Sequence, residues 1–178
     1  MEATSYAEQA LSADAPRAAG ERSALADLYD RHAEAVYRLL LALLASQSDA
    51  QDALSDLFLE LARRDLRHIQ SPRAYLLAAA RNKALQMLRR RKREQPTDPA
   101  HLCFFEAAAL DPEQALLAQR VGEALRALPP EQRAVVVLKI YEGLTFVEIA
   151  KITRTRPNTA ASRYRYALEK LRARLQEE

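Results

Sequence analysis

Apolar residues recur along this chain at intervals of three and four, the spacing that lays one stripe along a helix. From about Ser23 to Ala45 the stripe runs through Leu25, Leu28, Tyr29, His32, Val36, Leu39, Leu40, Leu43 and Leu44. His32 lies on it and reads as a packed histidine rather than a ligand. A second helix, about Ala50 to Arg64, buries Ala53, Leu54, Leu57, Phe58 and Leu61 and leaves Asp49, Asp52, Asp56 and Glu60 on its other side. Ser71-Pro72, an N-cap followed by a first-turn proline, opens a third helix reaching about Lys92 through Leu77, Ala80, Ala84, Met87 and Leu88. Its opposite face presents Tyr75, Asn82, Gln86, Arg89 and Arg93.

The pattern lapses from Glu94 to about Leu110, where prolines and acids mix with the short apolar cluster Cys103-Phe104-Phe105, and this stretch reads as a linker. That cluster either docks on a partner or packs back on its own domain. From Asp111 a helix resumes through Leu116, Leu117, Val121, Leu125 and Leu128 and stops at Pro129-Pro130. Another spans about Glu131 to Tyr141, and Glu142-Gly143-Leu144 turns the chain. Thr145 caps a short helix, Phe146 to Ile152, with Glu148 placed for a capping box. A few residues later Pro157 starts the last helix, whose inner stripe is Ala160, Tyr164, Ala167, Leu168, Leu171 and Leu175. Asn158, Thr159, Ser162, Arg163 and Arg165 then point outward at its N-terminal end, directly behind Arg154 and Arg156. A basic face on a lone helix is ordinarily a solvated one. Two helices joined by so short a turn, the second opening with polar and basic side chains, instead form a helix-turn-helix candidate suited to phosphates and base edges.

Composition supports an all-α chain of two small helical domains joined by a linker, the second containing the helix-turn-helix. Only three glycines occur in 178 residues, and no alternating strand pattern is found. The expected boundaries are a flexible N-terminal tail over 1–20, a first domain over 21–93, a linker over 94–110 and a second domain over 111–178. Net charge is only +3, but its distribution is uneven. Every charged side chain from Arg67 to Arg93 is basic, and from Lys151 to Arg174 only Glu169 is not, whereas Asp27, Asp30, Glu34, Asp49, Asp52, Asp56, Glu60 and Asp65 make the earlier stretch acidic. Two basic blocks and one acidic block imply two kinds of partner.

Catalytic chemistry is not visible. The single cysteine excludes an internal disulfide, the three histidines lack metal-ligand spacing, and no Ser/His/Asp arrangement or phosphate-cradling glycine loop occurs. The expectation is a protein that is not an enzyme, with no cofactor and no metal. Without a leader pattern or an apolar run approaching the roughly 20 residues that cross a bilayer, a soluble cytoplasmic protein with no membrane insertion is expected.

Three segments, SDAQDALSDLFLEL, SPRAYLLAAARNKALQMLRRRKR and ALPPEQRAVVVLKIYEGLTFVEIAKITRTRPNTAASRYRYALEKLR, occur in that order. Together they resemble the bacterial RNA polymerase sigma factors of the short two-domain extracytoplasmic-function (ECF) group, from about Ala24 to Leu175. The resemblance implies that Asp49, Asp52, Asp56, Leu57 and Phe58 meet core RNA polymerase. It implies that the third helix melts promoter DNA and reads the minus-ten element through Arg73, Tyr75, Arg81, Asn82, Lys83, Gln86, Arg89 and Arg90. Arg154, Arg156, Asn158, Thr159, Ser162, Arg163 and Arg165 would bind the minus-thirty-five duplex, and an anti-sigma factor is a further possible partner. Three positions depart from the family: Tyr75 where Trp is usual, Gln86 where an acid is frequent, and Arg154 in place of a turn glycine. A left-handed turn would cost Arg154 about 1 kcal/mol relative to glycine. Two other readings remain open at this point, a polymerase-independent helix-turn-helix regulator and a sigma-like adaptor that binds only protein.

Overall fold

The computed structural model describes residues 3–64, 69–94 and 111–176, with side chains over 24–64, 69–91 and 111–176. Among them are seven helices and no strand: α1 (Ala3–Leu44), α2 (Gln47–Ala62), α3 (Pro72–Glu94), α4 (Pro112–Arg126), α5 (Pro130–Ile140), α6 (Phe146–Thr153) and α7 (Pro157–Gln176). The 94–110 linker, with Cys103-Phe104-Phe105, lies almost wholly outside the described residues.

Local chemistry sets the helix ends. Ser46 caps α2 by accepting from the Asp49 N–H at 3.3 Å, and Asp111 caps α4 by accepting from the Gln114 N–H at 2.8 Å. Thr145 and Glu148 close a reciprocal capping box on α6, in which the Thr145 N–H donates to Glu148 Oε2 at 2.8 Å and Thr145 Oγ1 accepts from the Glu148 N–H at 3.3 Å. One boundary differs from expectation. The α1 backbone is helical back to Ala3, through the stretch expected as a flexible tail; that stretch is rich in alanine, the strongest helix former, although it also contains Pro16 and Gly20.

Helices α1, α2 and α3 pack on one another, and α4, α5, α6 and α7 form the second unit. The two units are in contact. Helix α1 lies along α5 and α3 along α6, so one apolar cluster runs through Leu39, Leu40, Leu43, Leu76 and Leu77 into Val135, Leu138, Ile149 and Ile152. A smaller cluster, Leu125, Leu128, Val136 and Ala167, fixes α4 and α7 against α5. The apolar stripe of α4 is narrower than the sequence implies, because Leu116 and Leu117 are exposed.

Candidate nucleic-acid and protein interfaces

The α6–α7 turn is built as a helix stop. Arg154 takes the left-handed conformation at φ 53° and ψ 49°. The Thr155 N–H then reaches back to the Ala150 carbonyl at 2.9 Å and the Arg154 N–H to that of Lys151 at 3.4 Å, which is the Schellman pattern. Thr153 is buried and donates its hydroxyl to the Ile149 carbonyl at 2.7 Å, tying the turn to α6. Pro157 begins α7, and its inner face is held by buried Ala160 and by Tyr164, whose ring lies 5.7 Å from that of Phe146.

The turn brings Arg154, Arg156, Asn158 and Thr159 together on the exposed N-terminal end of α7. Free N–H groups and the helix dipole make such an end attractive to a phosphate. Ser162 donates its hydroxyl to the Asn158 carbonyl at 2.9 Å. Arg165 lies over the Tyr166 ring at 4.9 Å with Glu169 3.9 Å away. Arg163 is half-buried, and its Nη1 has no hydrogen-bond partner among the described residues.

On α3, Asn82 and Gln86 are exposed on the face that carries half-buried Tyr75. Arg64, a residue the sequence did not single out, donates Nη1 to the Tyr75 hydroxyl at 2.9 Å and so fixes the ring's edge. Arg89 and Arg90 are exposed toward the C-terminal end of the helix. Two expected phosphate contacts are placed elsewhere. Lys83 turns to α2, with Nζ 3.0 Å from Glu60 and 3.1 Å from Asp56. Burial works against its charge, but those two carboxylates outweigh it and raise its pKa. Arg81 is buried at 9% exposure. Burial lowers its pKa, Glu131 opposes the shift, and Arg163, Arg154 and Arg89 add to it. The reason is geometric: a single-stripe reading gives α3 one buried face, whereas α6 covers a second. Arg73 is likewise engaged, with Nη2 2.9 Å from Glu142 Oε2.

The acidic side of α2 is only partly free. Asp52 is exposed, Asp56 pairs with Lys83, and Asp49 pairs with Arg91 of α3. Leu57 and Phe58, expected at a docking surface, are instead core residues at 3% and 7% exposure, and Phe58 meets the Tyr29 ring edge-on at 4.9 Å. They lie on the inner stripe and support the face from beneath. The apolar side chain that α2 shows to solvent is Leu59, 62% exposed. His32 is half-buried on α1, and burial, then Arg73 and Arg31, hold its pKa below the ordinary value.

Among the described residues no cluster of His, Cys, Asp and Glu is arranged to hold a metal, and no helix is long and apolar enough to cross a membrane. Residues 28–94 match the family model for Sigma-70 region 2 and residues 118–171 that for Sigma-70, region 4. The chain is 32% identical to the RNA polymerase sigma factor CarQ of Myxococcus xanthus, over 89% of this chain and 92% of that protein. It is 30% identical to the ECF RNA polymerase sigma factor SigK of Mycobacterium tuberculosis (strain ATCC 25618 / H37Rv), over 88% of each. The fold is similar to that of the sigma factor RpoE, solved in complex with the anti-sigma factor NepR from Bartonella quintana. That match has a TM-score of 0.69 and 22% identity and covers 82% of this chain and 92% of the other.

Proposed function

The chain belongs to the ECF group of RNA polymerase sigma factors, and from that premise we propose how its surfaces divide the work of initiation. It binds core RNA polymerase and promoter DNA and directs transcription initiation. The unit over 21–93 docks on core and captures the melted minus-ten strand, the stretch over 94–110 links it, and the unit over 111–178 binds the minus-thirty-five duplex. Catalysis is left to the polymerase, and the site of action is the bacterial cytoplasm.

The observation that carries this reading is the turn around Arg154. It sets α7 behind α6 with Arg154, Arg156, Asn158 and Thr159 exposed at one helix end. A phosphate anchored there would place Asn158, Thr159, Ser162 and Arg163 against major-groove base edges, with Arg165 beside them. On α3, Tyr75 offers a ring for stacking, Asn82 and Gln86 offer bonds to unstacked bases, and Arg89 and Arg90 offer charge to the strand. Arg73 and Lys83 join them only after leaving the carboxylates that hold them here, and Arg81 only once it is uncovered. For core docking, exposed Asp52 with Asp56 sets orientation and Leu59 supplies apolar area, while Asp49, Leu57 and Phe58 hold the face in shape. An acidic or apolar segment of an anti-sigma factor is a further partner of this class of fold.

Run-off transcription with purified core polymerase on a promoter library tests the function. Start sites that depend on this chain and share two spaced elements are expected. A chain that binds duplex DNA yet never redirects core would instead be a polymerase-independent regulator, and one that binds neither would be an adaptor.

A further inference from the structure

Tyr75 sits in the first turn of α3, where its N–H bonds the Ser71 carbonyl at 3.0 Å, on the face that continues through exposed Asn82 and Gln86. Its ring is half-buried and packs against the apolar cluster that holds Leu76 and Leu77. The hydroxyl lies at the surface, where it accepts from Arg64 Nη1 at 2.9 Å.

The donor is held as firmly as an exposed side chain can be. Helix α2 ends at Arg63, and the Arg64 N–H closes its last turn by bonding the Leu61 carbonyl at 2.9 Å. Leu61 is a core residue at 3% exposure, so the Arg64 backbone is pinned to the core while its guanidinium stays outside. A cation just past the end of a helix also sits favourably in the helix dipole. The acceptor depends on the residue type at 75. An indole N–H only donates, as does a guanidinium, so a tryptophan in this place could not take the bond, whereas the phenol oxygen can.

We propose that Arg64 is a positioning residue for capture of the melted strand: it holds the Tyr75 ring in the orientation in which an unpaired base stacks on it. The proposal rests on the reading of Tyr75 as a stacking surface. A base that lands on a mobile ring must also order that ring, and the cost comes off the affinity. The packed flank and the tethered hydroxyl together meet that cost before DNA arrives. A phenol ring offers a base less area than an indole, so the loss of this preorganisation is felt more at a tyrosine. The bond itself is exposed, and water replaces it readily in the unfolded chain and in a variant, so its effect falls on strand capture rather than on folding.

The test uses the full chain with core polymerase and the bubble form of a promoter recovered by the run-off assay, which removes the cost of melting and leaves strand capture. Tyr75→Ala should weaken binding by about tenfold or more. Arg64→Ala and Tyr75→Phe should each weaken it by about three- to tenfold, the worth of one side chain left to be ordered on binding. The double variant should lose no more than the weaker-binding single one, because both changes remove the same bond. Thermal melts of Arg64→Ala and Tyr75→Phe should match wild type. In the free chain, 3-fluorotyrosine placed at position 75 should show a shifted 19F resonance when Arg64 becomes alanine. An unmoved resonance would overturn the proposal. So would additive losses in the double variant, which would make Arg64 a phosphate contact in its own right. A loss for Tyr75→Ala alone would leave the stacking in place and overturn the part assigned to Arg64. Wild-type affinity for Tyr75→Ala would withdraw the stacking reading itself, and the positioning with it.

Discussion

Replacing Arg154 with glycine should make this protein more stable and a weaker DNA binder at once. A side chain bearing a Cβ at φ 53° and ψ 49° costs roughly 1–2 kcal/mol. Glycine removes that cost, and its greater freedom in the unfolded chain takes back roughly 0.5–1 kcal/mol. The net gain is about 0.5–1 kcal/mol, a rise in Tm of about 1–4 °C for a chain of this size. The turn's hydrogen bonds come from the backbone of Arg154 and Thr155, so they survive the change. Loss of one exposed cation from the proposed phosphate anchor should weaken all duplex sequences alike and reduce the salt slope by about one unit. Arg154→Ala separates the two effects: it retains the Cβ and hence the strain, leaving Tm nearly unchanged, but loses the same DNA contact. Thermal melts followed by circular dichroism, with binding titrations across salt concentration, read both quantities. A lower Tm for Arg154→Gly, or a salt slope equal to that of wild type, would refute the reasoning.

Thr145→Ala removes the hydroxyl side of the α6 capping box and should destabilise the protein by about 1 kcal/mol in chemical denaturation. The Thr145 hydroxyl and N–H depress the Glu148 pKa. Its contribution is therefore present above the ordinary carboxylate pKa and lost as pH falls through the lower folded-state value, so Glu148→Gln should flatten the acid limb of the stability profile measured by melts between neutral and acid pH. Asp52→Arg should abolish core polymerase binding in a pull-down at unchanged helicity, because Asp52 is exposed and its neighbours Leu57 and Phe58 keep their places in the core; retained binding would move the docking face elsewhere. Arg163→Ala should cost about 1–3 kcal/mol of duplex affinity and relax preference at one base pair in selections on randomised DNA, whereas a uniform loss would make Arg163 a phosphate contact.

How much of this was legible in the sequence follows from the range of each interaction. All seven helices follow from local signals: the three- and four-residue spacing, Ser71-Pro72, Asp111, Thr145 with Glu148, and Pro157. The capping box and the left-handed Arg154 are local too, since both are decided within one turn of helix. The N-terminal extent of α1 was not legible, because Pro16 and Gly20 argue for a break that the alanine-rich context carries through. Side-chain destinations failed where an element has two buried faces. The α3 pattern identifies the stripe facing α1 and α2, and nothing in it says that Arg81 will be buried near Glu131 and Arg163 or that Lys83 will turn to Asp56 and Glu60.

Glu142 shows the limit most clearly. In sequence it is an acid beside Gly143 in a turn, the commonest place for a solvated charge, and its two partners lie 104 and 69 residues away. No periodicity links residues at such separations. A charge count carries no trace of them: Arg38 lies inside the acidic stretch, Arg73 lies inside the basic block that opens at Arg67, and Glu142 and Glu148 both precede the second basic block. That block runs from Lys151 to Arg174 with Glu169 as its one acid. A chain carrying two basic units that touch must supply acids between them, and this fold does so at opposite ends of α5, where Glu131 acts on the charge of Arg81 and Glu142 pairs with Arg38 and Arg73.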